Sequence, residues 1–308
     1  MQFNQTTPRG TQGPKNHWQE LRINGRLPDR RSYHTSFVSE NKLYVFGGLD
    51  IQNGSLSSLF ELDLSLVNNL NDEETERRVS CAWHEITQNG KEKPGEVAYH
   101  SSVVHKEYMY LFGGNNYHRT IQYADPNDED SAKTYTPLYT LNLKTFTWNA
   151  VRTRGDIVKP RDEHTAVLDE SSQQMVVFGG FEDGERTNEV LIFNLKNTIW
   201  STVKQDPKNK GPCARSGHSA CIHGGNMYIF GGKSDNSTKL NDLWQFNISS
   251  HKWTQLHGVD EVIPEPRSGH SALIYDGVML VFGGLFEVTK ELNDICGYSL
   301  GQKRWMFL

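Results

Sequence analysis

Five short apolar runs end in a glycine pair: Leu43-Tyr-Val-Phe-Gly-Gly48, Met109-Tyr-Leu-Phe-Gly-Gly114, Met175-Val-Val-Phe-Gly-Gly180, Met227-Tyr-Ile-Phe-Gly-Gly232 and Met279-Leu-Val-Phe-Gly-Gly284. The first glycines stand at 47, 113, 179, 231 and 283, so the spacings are 66, 66, 52 and 52. A histidine precedes each pair, at His34, His100, His164, His218 and His270, by 13 residues in four cases and 15 in the third. A tryptophan follows each, at Trp83, Trp148, Trp200, Trp253 and Trp305. Three markers in one order, five times over, define an internal repeat.

Each repeat reads as four short strands. Strand a starts at the histidine and alternates small and apolar residues, as in His270-Ser-Ala-Leu-Ile274. Strand b is the apolar run, and its apolar residues on both faces predict burial on both sides. Strand c alternates aromatic and aliphatic residues, as in Asp242-Leu-Trp-Gln-Phe246, and strand d begins at the tryptophan. The helical period is nearly absent. A four-stranded sheet buried on both faces needs a sheet on each side, and radial stacking around an axis supplies them. The glycine pair permits φ > 0 and close backbone approach where strand b ends. The tryptophan supplies buried area on the outer strand.

The double glycine, the downstream tryptophan and the period resemble the kelch repeat, whose units form β-propeller blades. The resemblance runs from Trp18 to Leu308. Its nearest flavour is the type seen in Rab-effector, leucine-zipper-like regulator and host-cell-factor proteins, carried here by Pro266-Arg267-Ser-Gly-His270 and Ala214-Arg215-Ser-Gly-His218. It implies an all-β propeller with five complete four-stranded blades. It implies fold far more specifically than function. The expected organisation is a tail over residues 1–17 and one propeller domain over 18–308.

Trp18-Gln-Glu-Leu21 is a sixth strand-d signal without strands a to c of its own. In related rings such a strand closes the last blade, so the count predicts a sixth blade missing from the sequence or an unusual closure. Repeats 1 and 2 are longer than the rest. The extra length lies between strands c and d over residues 65–80, read as a short helix or a solvated loop, and between strands b and c over 115–137. In an up-and-down blade these two loops decorate opposite rims.

Composition narrows the function. The 308 residues carry Lys+Arg 32 against Asp+Glu 37, a net charge of -5 that argues against a globally basic nucleic-acid binder. No apolar run approaches the roughly 18–20 residues that cross a bilayer. Residues 1–17 lack the apolar core of a signal peptide. The four cysteines, at 81, 213, 221 and 296, show no CxxC or zinc spacing, which points to reduced thiols and a cytoplasmic or nuclear location. The Asn-x-Ser/Thr triplets at Asn4, Asn53, Asn236 and Asn247 stand without a leader to support glycosylation.

Chemistry-bearing residues concentrate at the approach to each blade. Arg31, Arg161, Arg215 and Arg267 lie three residues before the blade histidine, and the second repeat has Val97 there. Their forks suit carboxylates or phosphates. The period leaves two readings open: capture of an acidic peptide on the b–c/d–a rim, or bonding inside the blade. Tyr33, Tyr117, His118 and Arg119 join the candidate partner-binding set, with Arg30, Tyr99 and Arg186 nearby. The histidines occupy different blades, too far apart to share one metal ion. Cys213, two residues before Arg215, is a candidate reactive thiol. No catalytic, nucleotide or metal motif stands out.

The sequence therefore predicts a non-catalytic protein-interaction scaffold that binds another protein or an acidic peptide. It predicts no cofactor, no metal, no nucleic acid and no membrane insertion. Two alternatives stand beside it: the substrate-receptor part of a ubiquitin ligase whose other domains lie elsewhere, and a metal-dependent propeller enzyme using the central funnel.

Overall fold

The computed structural model describes residues 23–65, 81–116, 138–259, 262–287 and 290–308. Every regular element among them is a β-strand. Five antiparallel sheets follow the sequence repeats, each ordered a-b-c-d. Blade 1 comprises Thr35–Ser39, Lys42–Phe46, Leu59–Asp63 and Cys81–Ile86. Blade 2 comprises Ser101–His105, Tyr108–Phe112, Leu138–Asn142 and Thr147–Ala150. Blade 3 comprises Thr165–Asp169, Gln174–Phe178, Val190–Asn194 and Ile199–Thr202. Blade 4 comprises Ser219–His223, Asn226–Ser234, Lys239–Asn247 and Lys252–Leu256. Blade 5 comprises Ser271–Tyr275, Val278–Leu285, Glu291–Ser299 and Arg304–Phe307.

Two boundaries differ from the sequence reading. Strand a starts one residue after the histidine, because the histidine ring is used between blades. Strand d starts one or two residues before the tryptophan. An outer parallel strand was also unforeseen. Ile23–Gly25 pairs with Cys81–Trp83, and Arg154–Gly155 pairs with Ile199–Trp200. Asn89 makes the same bridge to Thr147. Trp18–Leu21, most of the two long inserts (66–80 and 117–137), and with them Tyr117, His118 and Arg119, lie outside the described residues.

Strand b is buried on both faces in the blades that have a neighbour on each side, whereas in blade 5 Phe282 is 45% exposed. In blade 3 Met175, Val176, Val177 and Phe178 are all fully buried. Alternate residues serve different neighbours. Val176 and Phe178 pack with Met227, Ile229 and Trp253 of blade 4, while Met175 and Val177 pack with Val103, Phe112 and Leu138 of blade 2.

One junction repeats four times. The phenylalanine before each glycine pair packs on the tryptophan of the next blade, with ring centroids 5.0 Å apart for Phe46–Trp148, 5.0 Å for Phe112–Trp200, 5.1 Å for Phe178–Trp253 and 5.1 Å for Phe230–Trp305. Such pairs contribute about 0.5–1.5 kcal/mol each beyond area burial. The next histidine meets the same phenylalanine edge-on, for example His164 on Phe112 at 5.0 Å. That ring fills the space above the first glycine. A Cβ on Gly113 would lie 2.8 Å from His164 Cε1 and 2.3 Å from the Arg161 carbonyl, and φ there is +64°. Only glycine fits both the torsion and the clearance.

Candidate functional site: the axial rim

The lead-in arginines turn inward. Arg215 is 0% exposed and donates to both carboxylate oxygens of Asp242, Nη1 to Oδ1 at 2.7 Å and Nη2 to Oδ2 at 2.8 Å. Its Nη1 also donates to the Gly231 carbonyl at 3.0 Å, and its Nε to the Cys213 carbonyl at 3.2 Å. Arg267 repeats the arrangement with Asp294 at 2.8 and 2.9 Å, the Gly283 carbonyl at 3.0 Å and the Glu265 carbonyl at 3.1 Å. Arg161 pairs with Glu182 at 2.5 Å and Glu189 at 3.0 Å. Arg31 bonds the Gly47 carbonyl at 2.9 Å and the Ser58 hydroxyl at 3.1 Å.

The fork thus ties the end of strand b to the start of strand c within its own blade. Of the two readings left open by the period, this is the internal one. No guanidinium face of Arg161, Arg215 or Arg267 is left for a partner. Burial alone pushes the Asp242 carboxyl up, but the hydrogen bonds and charge of Arg215 outweigh it and hold the group below the usual carboxylate range.

Four of the five blade histidines are equally internal, and His34 is exposed. His164 Nε2 meets Ser101 Oγ at 2.7 Å, His218 Nε2 meets Thr165 Oγ1 at 2.8 Å, and His270 Nε2 meets Ser219 Oγ at 2.8 Å. Each bond joins one blade to the hydroxyl that opens strand a of the blade before. His100 lacks it because the Thr35 hydroxyl bonds Ser102 instead. Burial pushes His100 and His270 down to about 3, with the charge of His34 adding to the first and that of Arg267 to the second. His164 and His218 are also driven well below the ordinary value by burial, then by Arg161 and Arg215. All four are neutral at pH 7. Among the described residues no group of three His, Cys, Asp or Glu is placed to hold a metal ion.

One residue further out, the chain forms a ladder around the axis. The Tyr99 amide donates to the Tyr33 carbonyl at 3.0 Å, Glu163 to Tyr99 at 3.1 Å, Gly217 to Glu163 at 3.1 Å and Gly269 to Gly217 at 2.8 Å. All five residues sit in the left-handed region, with φ of 55°, 59°, 52°, 61° and 66° in blade order. Glycine serves in blades 4 and 5. Tyr33, Tyr99 and Glu163 occupy the same conformation at an expected cost of about 1–2 kcal/mol each. The two tyrosine rings stack with centroids 3.9 Å apart.

The ladder bounds a cavity of ≈ 530 Å³ on the axis, at the rim where strands a begin and strands b end. Tyr33, Tyr99, Glu163, Ser268 and Lys233 line it. Its charge is sectored. On the blade 4 side stands Lys233, whose charge, after burial, depresses the neighbouring Lys239. Arg186, on the blade 3 hairpin and outside the cavity lining, stacks on Phe181 at 4.5 Å and donates to Ser216 Oγ at 3.1 Å. On the blade 3 side stands Glu163, while Asp162 and Asp183 line a separate cavity beside Arg161 and Phe181. Burial, then the charge of Glu163, pushes Asp162 up to about 6 against a hydrogen bond from Asn115.

Sequence reasoning singled out Tyr33, Tyr99 and Arg186 but not Glu163 or Lys233. A usable signal was the residue before each histidine, large in blades 1 to 3 and glycine in blades 4 and 5. Cys213 is exposed, with its Sγ 3.5 Å from Arg215 Nη2.

Comparison with known proteins agrees with the geometry. The family model described as the KLHDC2/KLHL20/DRC7 Kelch-repeats domain matches residues 123–308, and that of the Attractin/LZTR1 beta-propeller matches residues 11–200. The chain is similar to the leucine-zipper-like transcriptional regulator 1 homolog of Drosophila melanogaster, 27% identical over 76% of this chain and 22% of that protein. It is similar to Kelch domain-containing protein 3 of Rattus norvegicus, 25% identical over 90% of this chain and 70% of that one. Host cell factor 2 of Homo sapiens is 28% identical over 72% of this chain and 28% of its own length. The chain thus spans about a fifth of the first relative and 70% of the second. It belongs to the kelch-repeat β-propeller family.

Proposed function

We propose that the chain is a non-catalytic protein-interaction scaffold whose b–c/d–a rim, around the axial cavity, receives a segment of a partner protein carrying an acidic group. Propellers of this family are in general interaction domains, which supports the coarse reading. The observation that carries the finer one is backbone strain. Blades 4 and 5 build the axial ladder with Gly217 and Gly269, whereas Tyr33, Tyr99 and Glu163 keep bulky side chains in the same left-handed conformation. A cost borne where glycine would serve marks a side chain kept for what it contacts.

Stacked tyrosines are rigid, amphipathic anchors of the kind that dominate interfaces. Lys233 supplies positive charge on one side of the cavity, suited to a carboxylate or phosphate on the incoming segment. The buried arginines and histidines form the frame that holds the rim at fixed spacing.

Affinity purification of the full chain, quantified by mass spectrometry, tests this. Lys233→Glu and Tyr99→Gly are expected to deplete the same set of co-purifying proteins at least tenfold while melting temperature stays near wild type. An unchanged set in both variants overturns the rim as the binding site.

A further inference from the structure

At the foot of the b–c hairpin, three residues pair side by side: one from the lead-in to strand a, one after the glycine pair, and one from the returning arm. In blade 1 this row is Ser32, Leu49 and Ser55. In blade 3 it is Asp162, Phe181 and Arg186, and in blade 5 Ser268, Leu285 and Glu291. In blade 4 it is Ser216, Lys233 and Lys239. Directly paired residues put their side chains on one face of the sheet. The middle place is apolar in blades 1, 3 and 5, so the fold asks for no charge there. Of these four rows, only that of blade 4 sets two lysines next to each other.

Like charges placed directly opposite destabilise a sheet. Blade 3 carries such a pair in Glu182 and Glu185, but there Arg161 and Lys159 stand 2.5 and 3.7 Å from the Glu182 carboxylate. Lys233 and Lys239 have no carboxylate within 4 Å among the described residues. Lys239 Nζ reaches only the Glu287 carbonyl, at 3.0 Å. A third cation joins from blade 3. Arg186 donates through Nε to Ser216 Oγ at 3.1 Å and through Nη1 to the Asp235 carbonyl at 3.5 Å, which lays its guanidinium along the same row. Lys233 and Gly269 both line the axial cavity, and a Cβ on Gly269 would meet nothing within 4 Å, so there is open space on this side of the cavity.

We propose that Lys233, Lys239 and Arg186 form a subsite for a phosphate monoester, carried on the partner segment as phosphoserine or phosphothreonine. The proposal rests on the rim reading above and narrows its acidic group to a dianion. A carboxylate brings one charge and leaves the lysine pair half compensated. A phosphate monoester brings about −1.5 to −2 at pH 7 and three strong acceptor oxygens, enough for both ammonium groups and the guanidinium. Polypeptide fits this rim better than a membrane or a nucleic acid. Asp162, Glu163 and Asp183 on the neighbouring blade repel an extended polyanionic surface, while the stacked Tyr33 and Tyr99 offer an amphipathic wall to side chains.

The test presents the full chain with three degenerate peptide libraries that differ only in a fixed central residue: phosphoserine, glutamate or serine. Binding is read by fluorescence anisotropy. The phosphoserine library is expected to bind at least tenfold more tightly than the glutamate library. Lys239→Gln should abolish that preference while the melting temperature stays near wild type. Equal binding of the phosphoserine and glutamate libraries, weakened by Lys233→Gln but not by Lys239→Gln, overturns the phosphate subsite and leaves the rim reading standing. Binding that Lys233→Gln, Lys239→Gln and Tyr99→Gly all leave unchanged overturns both. A phosphoserine library that binds no better than the serine library overturns the subsite. So does Lys239-dependent capture of phosphatidylcholine vesicles containing a phosphoinositide in the absence of phosphoserine binding, because the phosphate would then belong to a membrane.

Discussion

Asp242→Ala is the sharpest test of the arginine period. Arg215 is fully buried, and Asp242 accepts two of its hydrogen bonds, at 2.7 and 2.8 Å, plus one from Trp244 Nε1 at 2.6 Å. Removing the carboxylate leaves a buried guanidinium with the Gly231 and Cys213 carbonyls as its main acceptors. Breaking a buried pair on one side costs about 3–5 kcal/mol. The Asp242 side chain is 24% exposed, so water reaches the vacancy and the lower end, about 3 kcal/mol, applies. At roughly 2 °C per kcal/mol for a chain of this size, the melting temperature should fall by about 6 °C. Glu61→Ala, which removes the more exposed pair with Lys42, should change stability by about 1 kcal/mol or less. The double variant Arg215→Met/Asp242→Leu should recover most of the loss, because no uncompensated charge remains. Thermal denaturation followed by circular dichroism decides it. An Asp242→Ala protein within about 1 kcal/mol of wild type, or one that melts normally but loses its partners, would refute the structural role and return Arg215 to the interface.

Three further outcomes follow from the same frame. Gly113→Ala drives a Cβ to 2.3 Å from the Arg161 carbonyl and should cost several-fold more stability than Gly184→Ala. The latter keeps a strained φ of +84° in open space, a penalty of about 1–2 kcal/mol readable in the same melts. Stability should also fall on acidification below about pH 6.5. The buried histidines stay neutral when folded and take a proton when unfolded, each adding up to ~1.4 kcal/mol per pH unit between the folded value and ~6.5. Asp162, raised to about 6, works the other way between pH 6 and 4 and offsets part of the slope. A urea midpoint that is flat from pH 7 to 5 contradicts this. Among Cys213, Cys221 and Cys296, only the exposed Cys213 should react promptly with Ellman's reagent, since burial pushes the other two thiols up to about 12. Equal reactivity of Cys221 would mean the interface between blades 4 and 5 opens readily.

The blades were legible because their cause is local. Val176 and Phe178 on one side and Met175 and Val177 on the other write two buried faces into consecutive letters. The glycine pair records a clash between chain segments about fifty residues apart. The arginine period was legible as a period but not as a role, because a fork that reads an acidic partner and a fork that reads its own blade use the same residue. The deciding signal lay downstream, in Asp242 and Asp294, each 27 residues after its arginine. The axial rim was the least legible part. Glu163, Gly217 and Lys233 meet there only because radial stacking brings equivalent turns to one axis, and no spacing along the chain announces it. The outer parallel strands were missed because three residues such as Ile23–Gly25 carry no alternation to detect.

The central claim is that periodic residues build the propeller and the aperiodic residues of one rim bind. Hydrogen–deuterium exchange of the full chain, alone and with a co-purified partner, tests it most directly. The account predicts slowed exchange in the turns around Tyr33, Tyr99, Gly217, Lys233 and Gly269, with the opposite rim unchanged at Glu40–Asn41, Gly224–Gly225 and Asp276–Gly277. Protection confined to that opposite rim would contradict it.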